Sequence, residues 1–193
     1  MSQRTQLARH CSSAFTTLEL LVVLAVVSLL TGLVLAAVQR VRATASRTQC
    51  ANQLRQLGLA HQQYHQTHGV LPPGVGGPGG KDPLPYLGWQ AHLLPYLGQG
   101  QLWADAVTAF KQDPVFWNIP PHAGVATVVP AFLCSADSRI TVAKPVGHDG
   151  GLRAFTSYLG VVGKNAGLTD GLLYLDSKHR LADATDGTSN TLL

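Results

Sequence analysis

Glutamate occurs only once in this chain of 193 residues, at Glu19, and charged residues of all kinds make up just 12% of it. A soluble domain usually carries about a quarter. The sequence has no H-E-x-x-H, no G-x-S-x-G and no other nucleophile signature, so the usual marks of a zinc or serine hydrolase are missing. A net charge of +4 and a pI near 9.2 invite a nucleic-acid reading. The distribution of charge argues against it. Arg4 and Arg9 precede a long apolar run, and Arg40, Arg42, Arg47 and Arg55 follow it closely. Beyond Arg55, eight Lys and Arg face nine Asp. With no basic stripe interleaved with aromatics, nucleic acid is not an expected partner.

The apolar run is the strongest feature present. Residues 20–39 are twenty consecutive uncharged positions, nearly all apolar. That is the length of a helix crossing a hydrocarbon core of about 30 Å. A buried helix of a soluble protein is rarely so uniformly apolar. A single pass through a lipid bilayer is therefore expected. The run lies too near the N-terminus to follow a complete signal peptide, so it must itself be the targeting signal. A secretory signal peptide is cut after its apolar stretch, and V-L-A at residues 34–36 would serve, leaving Ala37 first. Against this, the stretch exceeds the usual h-region of about 7–15 residues. A lipoprotein signal needs a cysteine after the run, whereas Cys11 precedes it. A third kind of signal is cut in front of the run and keeps it in the mature chain.

The residues around Glu19 favour the third kind. A-F-T-T-L-E-L-L, residues 14–21, resembles the type IV prepilin cleavage and methylation motif. The resemblance implies a basic leader at residues 1–14 and cutting by a prepilin peptidase between Ala14 and Phe15. It also implies methylation of the new Phe15 amine and an assembly role for Glu19. Ala14 stands where the motif more often has Gly. The likeness continues through R-T-Q-C-A-N-Q-L-R-Q-L-G-L-A-H-Q-Q-Y-H-Q-T-H-G-V-L-P-P-G at residues 47–74 and G-W-Q-A-H-L-L-P-Y-L-G-Q at 88–99. It runs on through F-L-C-S-A-D at 132–137, T-S-Y-L-G-V-V-G at 156–163 and L-A-D-A-T-D-G-T-S-N-T-L-L at 181–193. Together these segments are similar to a large family of bacterial prepilin-like proteins, related to type II secretion pseudopilins, whose globular part is a domain of unknown function. Members usually carry a further segment with a His and a later Asp-Gly, which is not found before Leu193, so the chain looks short at its C-terminus. The implied location is the inner membrane, single-pass, with the globular domain on the periplasmic side. Arg40, Arg42 and Arg47 then lie outside, against the positive-inside tendency, so the orientation rests on the motif.

The motif makes physical sense of the single glutamate. Cutting before Phe15 creates an α-amino group with a reference pKa of about 7.7–8, one helical turn from Glu19. Either charge alone is costly in hydrocarbon, about 2.5–3.5 kcal/mol for an Asp at mid-helix and less near an end. Paired, the two offset each other. In the pilin family the pair is held to form between neighbouring subunits, so the resemblance implies that Glu19 enforces register with self or other pilin-like subunits. The plain alternative is a carboxylate solvated by lipid headgroups. Removing the leader also removes Cys11. Cys50 and Cys134 remain, an even pair in an extracytoplasmic domain and hence a disulfide candidate. The alternative is two buried free thiols.

Beyond the run, residues 43–68 contain no Pro and only Gly58 as glycine. Ala43, Arg47, Cys50, Leu54, Leu57, His61, Tyr64 and His68 recur at spacings of three and four, which predicts one helical face. Gly69 should end the helix, and Pro72-Pro73 should prevent its return. Residues 15–39 and 40–68 are thus expected to form one long helix, its first half spanning the membrane and its second half amphipathic. Residues 69–80 read as a linker or loop by composition. Helical turns are expected near residues 92–97 and 103–111, and strands at 127–133, 157–162 and 171–175. Two copies of P-Y-L-G, at residues 85–88 and 95–98, are too few for a repeat architecture. The predicted fold class is α+β and pilin-like: a long N-terminal helix on a small antiparallel sheet, with residues 69–193 as the globular domain. Trp89, Trp103 and Trp117 are expected to pack in the core or under loops.

Two weaker constellations remain. His61, His65 and His68 share a helix face, but with no fourth ligand in sight a packing role is expected rather than a metal. D-A-T-D-G-T-S-N at residues 183–190 gathers oxygens, with Asp183, Asp186 and Asn190 as conceivable calcium ligands. EF-hand spacing is absent, and the expected reading is a turn set by Asp186-Gly187. No cofactor and no enzymatic activity are expected. Two function classes stand: a pilin-like or pseudopilin structural subunit, or a membrane-anchored binding module that uses the prepilin start only for targeting.

Overall fold

A computed structural model describes residues 16–78, 82–146, 150–164, 170–185 and 187–188. The first helix, α1, runs without a break over Thr17–His68. Two compact units divide the chain at residue 44: residues 1–44 and residues 45–193. In the first, the side chains of Leu18, Leu20, Leu21, Leu24 and Leu33 are all exposed. In the second, α1 supplies Cys50, Leu57, Ala60 and His61 as its buried residues. The predicted face is buried only in part: Ala43, Arg47, Leu54 and His68 are exposed, and Ala60, which the pattern omits, is buried. Leu54 is 53% exposed, and Gln53 takes the inward position instead because its amide hydrogen-bonds the Pro130 carbonyl (3.1 Å). Helix α1 ends where expected: Gly69 adopts φ +74°, and its N–H bonds the His65 carbonyl at 2.7 Å. Glycine takes this left-handed conformation without the Cβ penalty other residues carry.

The rest of the second unit is assembled from short pieces. Helix α2 (Trp89–Leu93) leads directly into a 3₁₀ turn at Leu94–Leu97, and α3 spans Gly100–Gln112. A two-stranded antiparallel sheet pairs β1 (Lys144–Val146) with β2 (Gly151–Arg153), Pro145 opposite Leu152. The fold is α+β, with a long N-terminal helix and a small antiparallel sheet. Leu57 and Ala60 of α1 join Trp89, Leu93, Leu94, Val129, Phe132 and Leu173 in one buried cluster. Tyr64, Trp103 and Tyr158 pack around it.

The expected strand positions are not those of the sheet. Residues 127–133 contain a 3₁₀ turn at Pro130–Phe132, where the Phe132 N–H closes on the Val129 carbonyl (3.0 Å). Segments 157–162 and 171–175 are linked by two bonds, Gly171 N–H to Val162 O (2.9 Å) and Leu173 N–H to Val161 O (3.4 Å), but residues 171–174 bend. They do not form a ladder. Trp89 is buried, but Trp117 is 52% exposed and lies against the guanidinium of Arg153, 5.5 Å from the ring centre.

Residues 69–78 of the expected linker are packed instead. Leu71 and Pro72 are fully buried. Val75 bridges Gly88 on one side and Leu175 on the other. Gly74 donates to the Tyr174 carbonyl (3.0 Å) and accepts from Trp89 N–H (3.1 Å). Its backbone groups are thus paired with segments far away in sequence, which composition does not reveal. A Cβ at Gly74 would collide with the Leu173 backbone. Gly74→Ala should therefore destabilise the second unit by about 1–3 kcal/mol. Chemical denaturation followed by tryptophan fluorescence would measure this, and an unchanged midpoint would contradict the close packing.

Candidate processing and assembly site

Ala14 and Phe15 lie outside the described residues, so the site is built from Thr16 onward. Thr16 sits immediately before α1. Its hydroxyl oxygen accepts from the Glu19 N–H (3.3 Å), while Glu19 Oε2 accepts from the Thr16 N–H (3.0 Å) and from the Thr16 hydroxyl (2.9 Å). This reciprocal pairing is a capping box. It satisfies donors that the first turn leaves without an intrahelical partner and sets a carboxylate at the positive end of the helix dipole. The signal was present in the sequence as T-x-x-E ahead of an apolar run. Neither the intermolecular partner nor the headgroup-solvated carboxylate expected for Glu19 includes this local role.

The apolar run that follows contains two hydroxyl side chains, and both turn back onto the helix. Ser28 donates to the Ala25 carbonyl (2.8 Å) and Thr31 to the Val27 carbonyl (2.9 Å). Neither hydroxyl proton needs an outside partner, which is the condition for tolerating such groups in an apolar phase. The helix is long and apolar enough to cross a membrane, and none of its most apolar stretch is buried.

Within the second unit, α1 is fastened at one level. Cys50 and Cys134 are disulfide-bonded. The Tyr158 hydroxyl lies 3.2 Å from the Cys50 carbonyl and 3.1 Å from Gln53 Oε1, so its single proton is shared between two acceptors on α1. Ser135 donates to the Ser46 carbonyl (3.3 Å). Residues 46–53 are thereby tied to residues 130–135 and to Tyr158. The covalent link and the polar contacts reinforce one another.

Each histidine on α1 has a contact within the chain, although Nε2 of His61 is buried without a hydrogen-bond partner. His61 and His68 each direct Nδ1 to a carbonyl one turn back, Leu57 at 2.8 Å and Tyr64 at 3.1 Å. His65 Nε2 accepts from the Leu181 N–H (3.4 Å). Asp183 is committed to a turn: its Oδ2 accepts from Arg180 N–H at 2.7 Å and lies 3.7 Å from His179 Nδ1. Asp186 and Asn190, the other conceivable calcium ligands, lie outside the described residues. Among the described residues no group of three or more His, Cys, Asp or Glu could hold a metal ion.

A long N-terminal helix, apolar and uncovered at its start and disulfide-tied to a small α+β unit further on, defines the class. Residues 39–193 match the family described as protein of unknown function (DUF1559), and the chain belongs to that family. No curated protein and no solved structure matches it.

Proposed function

We propose that this protein is a pilin-like or pseudopilin-like structural subunit, made as a prepilin and held in the inner membrane by the first half of α1. The observation that carries the reading is the sequence A-F directly ahead of a capped, uncovered apolar helix with Glu19 in its first turn. In this reading the prepilin peptidase cuts between Ala14 and Phe15. The globular unit faces the periplasmic side, and neighbouring pilin-like subunits pack through the apolar half of α1. Both bonds to the Glu19 carboxylate use Oε2, so Oε1 can take a further donor, the amine of a neighbour's Phe15. The role is structural and non-catalytic.

N-terminal sequencing of the membrane fraction tests this. A chain starting at Phe15 supports prepilin handling; one starting at Met1 supports a plain anchor, and one at Ala37 a secreted product. Replacing Ala14 with Leu should block cutting and leave a precursor longer by about fourteen residues, because a leader ends in a small side chain for the peptidase to accept. Mature protein still beginning at Phe15 in that variant would rule out the proposed site requirement.

A further inference from the structure

A cavity of about 640 Å³ opens beside the core of the second unit. Three aromatic rings line it, each from a different element: Tyr64 from α1, Tyr96 from the 3₁₀ turn after α2, and Trp103 from α3. Tyr64 and Tyr96 meet edge to face, their centres 5.9 Å apart. The same wall carries Asp82 and His92. Asp82 is 13% exposed, and its Oδ2 lies 3.4 Å from His92 Nε2. Its Oδ1 accepts from the Leu84 N–H (2.9 Å). His92 is only 5% exposed, and its Nε2 makes no hydrogen bond.

The charge balance decides what this cavity suits. Burial pulls the His92 pKa down, Asp82 opposes this, and His68 adds to the lowering, so His92 is neutral at neutral pH. No Lys or Arg pairs with Asp82 among the described residues. Asp176 and Lys178 also line the cavity, but both are exposed, and their opposite charges offset each other. Burial first, then Asp82 and Tyr96, pushes the Tyr64 phenol up to about 12, so it stays neutral; one face of its ring is stacked on His68 (4.0 Å between centres), which leaves the other for a ligand. The wall therefore holds a largely buried carboxylate without a full counter-charge among the described residues, in a cavity also lined by the rings of Tyr64, Tyr96 and Trp103. An anion would be repelled there. A neutral ligand such as a saccharide would hydrogen-bond the carboxylate but bring it no counter-charge. A cation gains from the carboxylate and from the ring quadrupoles together.

We propose that this cavity binds a small organic ammonium ion, its charged head against Asp82 and enclosed by Tyr64, Tyr96 and Trp103. The shared chemistry is the ammonium head, whether from a free solute or a lipid headgroup. The same geometry makes binding acid-sensitive. Protonating His92 places a competing positive charge 3.4 Å from Asp82. The groups facing His92 are Asp82, Tyr64 at 6.3 Å ring to ring, and His68.

The test is titration calorimetry on the full chain in a maltoside micelle, with choline and its neutral carbon isostere, neopentyl carbinol, as probes. Choline should bind saturably and at least about tenfold more tightly than the isostere. Asp82→Asn should weaken choline by about tenfold or more, while the amide oxygen still accepts from Leu84. Should that variant fail to show a wild-type thermal transition, the wild-type pH series carries the test: choline affinity must fall as pH drops below the usual histidine range. Glycerophosphocholine distinguishes the sources, since tighter binding than choline assigns the site to a lipid headgroup. Equal affinity for choline and the isostere, no saturable binding of either, or a folded Asp82→Asn protein that binds like wild type would each overturn the proposal.

Discussion

Replacing Glu19 with Gln should leave the chain in the membrane fraction at its wild-type level while its higher-order cross-linked species disappear. The substitution is nearly isosteric, and Gln serves as well as Glu at the third position of a capping box. The Thr16 donors therefore keep an acceptor, and the helix start survives. What is lost is the negative charge. An α-amine brought into an apolar phase without its partner carries a penalty of about 2–3 kcal/mol per contact, roughly a hundredfold in association. Insertion itself becomes no harder, because a neutral amide is cheaper to desolvate than a carboxylate. A plain anchor makes the opposite forecast: Gln should be silent or mildly favourable. Cysteine cross-linking along the apolar half of α1, run beside membrane fractionation, separates the two. Unchanged oligomers in a Glu19→Gln chain whose Phe15 amine is free would reduce Glu19 to its capping role. Glu19→Ala is the less informative variant, since it removes the cap and the charge together.

Removing the disulfide should have the largest effect on stability. The bond between Cys50 and Cys134 closes a sequence separation of 84 residues. On the chain-entropy account, a loop of that length stabilises by roughly 4–5 kcal/mol, less where the unlinked chain retains structure. The double variant Cys50→Ser, Cys134→Ser should therefore melt on the order of 10 °C or more below wild type. Tyr158, Gln53 and Ser135 hold the same level of α1 through hydrogen bonds, so the second unit should lose stability before it loses its fold. Non-reducing peptide mapping of exported protein should recover the two cysteines in one linked peptide. Full alkylation of both without reductant would remove the disulfide from this ledger, and the double variant would then melt near wild type.

Where the chain's structure depends on neighbours in sequence, it was legible in advance. The helical pattern over residues 43–68, the uninterrupted apolar run before it and the Gly69 stop all follow from local propensity and period. The capping box at Thr16 and Glu19 was equally local. The same carboxylate thus has a local partner in Thr16 as well as any partner outside the chain. The inward face of α1 was half legible. Hydrophobicity alone favours Leu54, but the surface it packs on offers Gln53 a carbonyl at Pro130, and the amide goes inward.

Sequence by itself determined the length, apolar character and end of α1, because helix formation and hydrophobic patterning act over a few residues. It also placed one carboxylate at the start of that helix and left two cysteines after the proposed leader. Tertiary structure decided the rest. Residues 69–78 look like a linker, yet Gly74 and Val75 exchange backbone bonds with residues near 88 and 175. The strands fall at Lys144–Val146 and Gly151–Arg153 rather than in the more β-prone segments, since short strands form where a partner is presented. Asp82 and His92 are unremarkable in sequence and become part of one cavity wall only when α1, the 3₁₀ turn after α2 and α3 bring Tyr64, Tyr96 and Trp103 to the same cavity. The physical reason is the same in each case. Pairing of backbone groups and burial of charge depend on which distant segments meet, and no window of sequence contains that information.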